Sequence, residues 1–278
     1  MATSMVIELE SKIDYLSLAR NLIKPVRDAG QAILAIYRQG AAVQIKGDGS
    51  PVTKADLASE AILLPAISVA APSIQIVSEE NVTSHGFAVT HRFFLVDPLD
   101  GTKEFLKADN KGAFTVNIGL VEGGVPVMGI VYAPALDRLF FGAQDSGAFE
   151  MLGNVCRKIE VRKPPADGWT AVASVSHRDK ATNDWLKAQG ICNTIAIGSS
   201  LKFCLIAAGE ADAYPRYGPT MEWDTAAADA ILRAAGGRVL TANGQLLGYG
   251  KPGYRNTSFF ALGSGSPALL QKKSRYDY

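Results

Sequence analysis

The chain has few cysteines, few histidines and almost no net charge, and each shortage excludes a class of protein. Its three cysteines, Cys156, Cys192 and Cys204, lie far apart without CxxC spacing, which argues against a disulfide framework or a zinc–thiolate site. The three histidines also lack zinc-type spacing. With 28 basic and 27 acidic residues, the net charge of +1 does not favour a nucleic-acid polymer. Any anionic substrate must therefore be bound by local charge.

Long hydrophobic runs and several familiar motifs are also missing. No apolar run reaches the roughly 18 residues that span a bilayer, and the N-terminus lacks the pattern of a secretory signal, so we expect a cytoplasmic protein. The chain contains neither a P-loop nor a GxSxG nucleophile motif. Residues 248–253 fit GxGxxG formally, but they contain proline and precede a strand-like segment, whereas a dinucleotide loop opens a helix.

The hydrophobic pattern predicts two subdomains, over residues 1–156 and 157–278. An amphipathic helix with Pro25 in its middle is followed by a capping box, Thr53 with Asp56, and then by apolar strands separated by glycine turns, which indicates an antiparallel meander. Beyond the basic, proline-containing boundary, strands and helices alternate, which is typical of α/β layering. The predicted strands are 74–77, 93–97, 114–121, 125–132, 171–175, 194–198 and 211–215, and the later helices are near 180–189, 200–209 and 224–235.

The strongest local signal is the string DPLDGT at residues 97–102. An apolar strand reaches Asp97, the proline after it turns the chain, and Asp100 follows three residues later. Thr102 is placed to cap a helix beginning near Lys103. Carboxylate and carbonyl oxygens are the ligands that magnesium prefers, and two such ions about 4 Å apart can stabilise a phosphoryl displacement.

Two further acidic positions match this pattern. Glu79 begins a carboxylate pair after the strand IQIV, and Asp224 lies at the start of an alanine-rich helix, in its first turn. Each has an ordinary explanation when taken alone, because acidic pairs are commonly solvated and an acid near a helix N-terminus complements the helix dipole. Taken together, several strand-end acids would repel one another unless a cation bound among them.

These residues resemble the inositol monophosphatase superfamily of magnesium-dependent, lithium-sensitive phosphatases. Within it, the likeness is greatest to the 3'(2'),5'-bisphosphate nucleotidase (CysQ-type) branch. The matching segments are KGDGSPVTKAD (46–56), SEE (78–80), DPLDGTKEF (97–105), SVSH (174–177), GSSLKFC (198–204), AYPR (213–216) and GPTMEWDTAAADAIL (218–232). The resemblance implies a mixed α+β or α/β fold, the layered α-β-α-β-α sandwich of inositol monophosphatases and sugar phosphatases.

The resemblance also implies roles for individual residues. Two or three Mg²⁺ ions would be held by Glu79, Asp97, the Leu99 carbonyl, Asp100 and Asp224. Three residues would orient and activate the attacking water: Asp56, Thr102 and Glu79. The substrate would contact Asp100, Gly101, Thr102, Lys103, His177, Ser199, Lys202, Arg216 and Asp224.

The implied substrate is adenosine 3',5'-bisphosphate, and also its 5'-phosphosulfate form. Water would attack the phosphorus of the 3'-phosphate and displace the 3'-oxygen, without a phosphoenzyme, and the products of the bisphosphate would be AMP and phosphate. Two alternatives stay open: a phosphatase for inositol monophosphate or another sugar phosphate, and a non-catalytic nucleotide-binding regulator. The resemblance leaves both a monomer and a homodimer open. It also admits peripheral attachment to the inner membrane, although no amphipathic anchor is evident.

Overall fold

The computed structural model describes residues 13–39, 43–45, 51–107, 112–173 and 179–265. The helices are α1 (Tyr15–Gln39), α2 (Lys54–Ala70), α3 (Thr102–Lys107), α4 (Lys180–Ala188), α5 (Leu201–Ala207) and α6 (Ala226–Ala234). The strands are β1 (Val43–Ile45), β2 (Pro51–Thr53), β3 (Gln75–Ser78), β4 (Arg92–Asp100), β5 (Thr115–Glu122), β6 (Val125–Ala133), β7 (Arg138–Ala143), β8 (Gly147–Leu152), β9 (Val155–Ile159), β10 (Thr170–Ala173), β11 (Asn193–Ala196), β12 (Ala213–Arg216), β13 (Arg238–Thr241) and β14 (Phe259–Leu262).

The first large sheet has seven strands in the order β3-β4-β5-β6-β7-β8-β9. From β4 to β9 every neighbouring pair is antiparallel, while β3 joins β4 in parallel. The predicted meander is therefore confirmed for β4 to β6, and three more hairpin strands that the sequence pattern did not predict extend it. Strand β9 crosses the predicted boundary at residue 156, and the division into two subdomains stays a prediction.

The second large sheet has five strands in the order β11-β10-β12-β14-β13. Strand β10 pairs in parallel with β11 and β12, as the predicted α/β alternation requires. Strand β14 runs antiparallel to both β12 and β13, so the sheet is mixed. The strand-like segment after residues 248–253 is β14, which agrees with our exclusion of a dinucleotide loop there.

The buried hydrophobic residues that the structure describes form three clusters. Helices α1 and α2 cover one face of the seven-stranded sheet through a cluster that includes Leu22, Leu63 and Phe94. Helices α5 and α6 lie between the two sheets, in a cluster that contains both Leu95 and Phe259. Helix α4 packs on the outer face of the five-stranded sheet. The order of layers is α-β-α-β-α, as predicted.

Two local predictions concern where helices begin. A proline in the position of Pro25 is expected either to kink the helix or to restart it, and α1 continues through Pro25 as a single helix without a restart. Helix α6 begins at Ala226, so Asp224 lies in the turn before the helix rather than in its first turn. Of the helices that the structure describes, none combines the length and the apolar composition needed to cross a bilayer.

Candidate active site

The end of strand β4 carries the two aspartates of the DPLDGT string. We predicted that the strand stops at Asp97, but it continues to Asp100, and its register against β5 shifts between these two residues. The shift follows from Pro98, which has no N–H to donate to the ladder. Its carbonyl instead accepts a hydrogen bond from Ser59 Oγ at 2.8 Å. The Asp97 side chain is turned back on this bulge, because its Oδ1 accepts from Leu99 N at 3.0 Å.

Three of the predicted metal ligands converge from different parts of the chain. Glu79 directly follows β3, and its amide donates to the carbonyl of Val96 on the parallel neighbour β4 at 3.0 Å. Asp224 comes from the second half of the chain. One carboxylate oxygen each from Glu79, Asp97 and Asp224 lies within 4.8 Å of the other two. The sequence placed these acids 18 and 127 residues apart, and the fold brings them together.

Burial and like charge raise the pKa values of this cluster. The pKa of Asp97 is held well above its usual value, first by burial and then by the charges of Glu79, Asp100 and Asp224. Burial, followed by the charges of Asp100 and Glu79, also raises the pKa of Asp224 strongly. Burial raises the pKa of Asp100 to about 6, although the Lys202 ammonium opposes the shift.

The chemistry of this donor set fits a hard divalent cation. The charged groups with the largest effects on Asp97 are all carboxylates, so nothing among them neutralises its charge. Mg²⁺ prefers oxygen ligands, and several carboxylate oxygens lie close together here. The Leu99 carbonyl lies in the same bulge, with its oxygen 3.3 Å from Thr102 Oγ1, which places a backbone oxygen beside the acids.

Thr102 and Asp56, the predicted water-orienting pair, lie next to each other. Asp56 belongs to the capping box of α2: its Oδ2 accepts from the amide of Thr53 at 2.8 Å and from the Thr53 hydroxyl at 2.7 Å. Its other oxygen, Oδ1, lies 3.5 Å from Thr102 Oγ1. The capping box therefore fixes one oxygen of a buried carboxylate and leaves the other directed at Thr102. Burial raises the pKa of Asp56.

A pocket of about 210 Å³ opens beside the acids. It is lined by Glu79, Asp100, Gly101, Thr102, Lys103, Glu104, Ser199, Lys202, Phe203, Tyr214, Arg216, Thr220, Asp224, Thr225 and Phe259. Every predicted substrate-binding residue lines this pocket except His177, which lies outside the described residues. Asp97 is buried and is not among the residues that line the pocket.

The cationic side of the pocket is built around α5 and β12. Lys202 is buried, with its Nζ 5.2 Å from the centre of the Tyr214 ring and 2.5 Å from the Ser199 carbonyl that it donates to. Burial lowers its pKa to about 8, and Asp100 opposes the shift. Arg216 donates to the carbonyls of Gly218 and Pro219, which orient its guanidinium.

Ser199 has two properties that are uncommon for a serine. Its backbone is in the left-handed region, with φ of 49°. Its hydroxyl oxygen is buried, and no residue within the described ranges bonds to it. A buried hydroxyl without a protein partner costs free energy, so its position in the wall of the pocket is consistent with a polar ligand.

The sequence reasoning missed a polar network beneath Asp100. Thr115, Asn117 and Ser200 are buried and joined by hydrogen bonds: Ser200 Oγ lies 2.8 Å from Thr115 Oγ1 and donates to Asn117 Oδ1 at 2.6 Å. The amide of Ser200 donates to Asp100 Oδ2 at 2.7 Å. The alternation of Thr115 and Asn117 within an apolar strand was a usable signal, because it puts two polar side chains on one buried face.

Asn256 was also missed. Its Nδ2 donates to the carbonyl of Met221 at 2.9 Å and lies 3.1 Å and 2.9 Å from the hydroxyl oxygens of Thr220 and Thr225. One buried amide thus holds both ends of the turn that carries Asp224. The turn is further closed by the amide of Met221, which donates to Asp224 Oδ2 at 2.8 Å. Nothing in the local sequence around Asn256 marks this role.

Comparisons with known proteins match the chain to one family. The model of the inositol monophosphatase family matches residues 15–272. The 3'(2'),5'-bisphosphate nucleotidase CysQ of Salmonella typhimurium is 43% identical over 248 residues, which cover 84% of this chain and 96% of that protein. The crystal structure of CysQ from Bacteroides thetaiotaomicron superposes with a TM-score of 0.75 at 34% identity, covering 92% of this chain and 100% of the other. An inositol monophosphatase from Anabaena gives a TM-score of 0.73 at 25% identity, covering 94% and 96%.

Proposed function

This chain belongs to the inositol monophosphatase family, and from that membership and its acidic site we propose that it is a magnesium-dependent 3'(2'),5'-bisphosphate nucleotidase. The proposed reaction is hydrolysis of the 3'-phosphate of adenosine 3',5'-bisphosphate, which yields AMP and phosphate. The 5'-phosphosulfate analogue is the proposed second substrate, since it carries the same 3'-phosphate.

One observation carries the proposal. Carboxylates that lie within 4.8 Å of one another and lysine and arginine side chains meet at a single pocket. An anionic substrate would be repelled by the acids alone, so the acids are explained by bound cations and the basic groups by the substrate's charge. A pure anion-binding protein has no need of such acids, which favours catalysis over a regulatory role.

The metal is proposed to be Mg²⁺, with two ions shared among the acids. Glu79, Asp97 and the Leu99 carbonyl would hold one ion, and Asp97, Asp100 and Asp224 the other. Bound there, the ions supply the Lewis acidity that makes water nucleophilic near neutral pH and that neutralises charge on the leaving oxygen.

Thr102 and Asp56 are proposed to orient the attacking water. A hydroxyl has one proton to donate, and Asp56 Oδ1 is an acceptor within reach of it. If Thr102 donates this proton to Asp56, its lone pairs face outward and can accept from water. Glu79, which lines the pocket on the same side, would accept the water's second proton.

The basic groups are proposed to bind the phosphates. The amides of Gly101 and Thr102, which line the pocket, would bind the phosphate that reacts, and the φ of 90° at Gly101 is a conformation that glycine adopts readily. Lys202, Arg216 and Lys103 would bind the second phosphate through charge-assisted hydrogen bonds. Ser199, with its unbonded buried hydroxyl, would add a neutral hydrogen bond.

A substrate panel tests the proposal. Phosphate release is measured at equal concentrations of adenosine 3',5'-bisphosphate, inositol 1-phosphate and fructose 1,6-bisphosphate, each with Mg²⁺ and with EDTA. We expect release that requires Mg²⁺ and a clear preference for the nucleotide. A preference for inositol 1-phosphate would assign the chain to the sugar-phosphate alternative, and nucleotide binding without turnover would assign it to the regulatory one.

The basic subsite is tested within the same panel. Arg216→Ala should raise the KM for the nucleotide and leave the rate with a monophosphate little changed, because a monophosphate has no second phosphate to bind. An equal loss with both substrates would contradict the assignment of Arg216 to the second phosphate. Lys187→Ala on α4, outside the residues that line the pocket, is the matched control.

A further inference from the structure

We propose that His85 is a positioning residue that holds Glu79 and Asp224 at the separation needed for metal binding, by stacking on Trp223. The inference rests on the proposed function, since it assigns a structural origin to the metal affinity of the same site. It concerns a residue outside the pocket lining, on a surface 3-10 turn, to which neither the motifs nor the pocket assign a role.

The turn that follows Glu79 folds back on the strand before it. Ser84 makes this reversal: its Oγ accepts from the amide of Ser78 at 3.1 Å and donates to the carbonyl of Asn81 at 2.6 Å. His85, the next residue, is brought beside the chain it left. Its Nε2 lies 2.8 Å from the Ser78 carbonyl, and because a carbonyl oxygen can only accept, Nε2 carries the proton.

One face of the imidazole ring packs against the second half of the chain. The rings of His85 and Trp223 are stacked, with centroids 4.8 Å apart and planes inclined by 23°. Trp223 immediately precedes Asp224, as Ser78 immediately precedes Glu79. A single side chain therefore bonds to the residue before one candidate ligand and packs against the residue before the other.

Trp223 is itself held firmly. It is 5% exposed, and its ring also packs against Tyr254 at 6.1 Å between centroids. The preceding Glu222 is fully buried, where its carboxylate accepts from the amides of Gly250 and Lys251 at 2.7 Å and 2.9 Å. The tryptophan is thus a fixed surface against which His85 sets the position of the Glu79 turn.

The two candidate ligands need such a link because they repel each other. One carboxylate oxygen of Glu79 and one of Asp224 lie within 4.8 Å of each other, and like charges at this distance repel. Without a cation between them, the carboxylates gain by moving apart, and a bound ion must then pull them together again. A stack that holds the two turns in contact keeps the ligands at the binding distance, so its removal should appear as weaker metal affinity.

Metal binding to the purified full-length protein tests the inference. Mn²⁺ titration calorimetry is run on wild type, His85→Ala, His85→Phe and His85→Gln, with His91→Ala as control because His91 is 71% exposed and lies on another surface. We expect His85→Ala to weaken Mn²⁺ binding about tenfold. The phenylalanine keeps the stack and should stay within about threefold of wild type, whereas glutamine keeps a donor for Ser78 but no ring and should resemble alanine.

Kinetics separate positioning from a general loss of structure. In His85→Ala, the Mg²⁺ concentration for half-maximal rate should rise about tenfold, while kcat at saturating Mg²⁺ and the substrate KM change little. Wild-type Mn²⁺ affinity in a folded His85→Ala protein, or a loss of affinity in His85→Phe equal to that in His85→Ala, would overturn this inference but not the proposed function. Absence of Mg²⁺-dependent phosphate release by the wild type would instead overturn the proposed function, whatever the histidine variants do.

Discussion

At the scale of single residues, the site is governed by Asp97, which is 1% exposed and is surrounded by other acids. A buried carboxylate without a cation is costly, and the protein lowers the cost by keeping the proton, which is why burial and like charge raise its pKa. The same cost makes the group a strong ligand once a cation is present. Loss of the charge should therefore affect the metal-free and the metal-loaded protein in opposite directions.

Asp97→Asn should lower phosphate release by orders of magnitude while the fold survives. The substitution removes a proposed metal ligand, but it also removes a buried negative charge that Glu79, Asp100 and Asp224 repel. The metal-free melting temperature should accordingly stay equal or rise, and the increase on adding Mg²⁺ should disappear. Thermal unfolding with EDTA and with Mg²⁺ measures both, and Asp184→Asn on the exposed face of α4 is the control. Near-wild-type activity in Asp97→Asn would show that this residue is not a ligand.

The raised pKa values also predict how metal stabilisation depends on pH. The pKa of Asp100 is raised to about 6, and those of Asp97 and Asp224 lie well above 3.8, so the metal-free folded protein holds protons that the unfolded chain has lost. This contribution to stability is complete below about pH 3.8 and is lost as the pH rises through about 6. A cation binds the ionised form, so the Mg²⁺-induced rise in melting temperature should increase over the same range.

The difference between melting temperatures with Mg²⁺ and with EDTA, measured from pH 4 to pH 8, tests this dependence. Taking the difference cancels exposed acids such as Asp14 and Asp179, whose pKa values are lowered by hydrogen bonds and which titrate alike in both buffers. A difference that is flat across the range would contradict the electrostatic account of the site.

The residues that the sequence could identify are those whose chemistry shows in a local string. Asp97 and Asp100 stand out because both close an apolar strand. Glu79 and Asp224 match the same acidic pattern, and the resemblance assigned their roles. Asn256 and His85 could not be found this way. The hydrogen-bond partners of Asn256 lie 31 to 36 residues away and the stacking partner of His85, Trp223, lies 138 residues away, so only the fold brings them together.

At the scale of elements, the position of Asp224 depends on how closely α6 approaches the seven-stranded sheet. Gly119 on β5 and Gly129 on β6 are register partners. A Cβ on Gly119 would lie 2.7 Å from Ala227 N, and one on Gly129 would lie 1.9 Å from Ala227 O. Helix α6, with alanine at its contact face, therefore rests directly on the sheet, and the turn before it reaches the end of β4.

Gly129→Ala should be strongly destabilising and should also weaken metal binding. The added methyl group meets backbone rather than a flexible side chain, so α6 must move away from the sheet. We expect a loss of about 3 kcal/mol and a melting temperature lower by about 5–10 °C. Gly248→Ala is the matched control, since its Cβ has no neighbour nearer than 3.9 Å. A Gly129→Ala protein as stable as the control would contradict the close packing.

The predicted elements were those with a strong period or a strong cap. The capping box fixed the start of α2, and apolar runs separated by glycine turns indicated β4 to β6. Strands β7 to β9 escaped prediction because each contains charged residues, Arg138, Glu150 and Arg157 among them, that interrupt the apolar pattern. The continuation of β4 to Asp100 escaped it because a bulge after Pro98 looks like a strand end in sequence.

At the scale of the whole molecule, the two large sheets share one core. The cluster between them contains Leu95 of the seven-stranded sheet, Phe259 of the five-stranded sheet and Ile231 of α6. An ion pair also joins the two halves of the chain, because Arg138 on β7 binds Glu210, beyond α5, at 2.5 Å. The candidate site takes ligands from both halves, so its formation requires both to be folded.

Unfolding should therefore be a single transition. The three tryptophans, Trp169, Trp185 and Trp223, all lie in the second half, so fluorescence reports that half, whereas far-UV circular dichroism reports both. We expect the two signals to coincide in a urea titration of the metal-free protein. A fluorescence transition separated from the circular-dichroism transition would show that the predicted subdomains unfold independently.

The central claim is that acids from both halves of the chain hold divalent metal at one pocket. The most direct test is a crystal soaked in Mn²⁺ and phosphate, measured at the manganese absorption edge. We predict an anomalous peak within bonding distance of Glu79, Asp97 and Asp224, with phosphate beside it. An ordered site in which these carboxylates are apart, with no peak among them, would contradict the account.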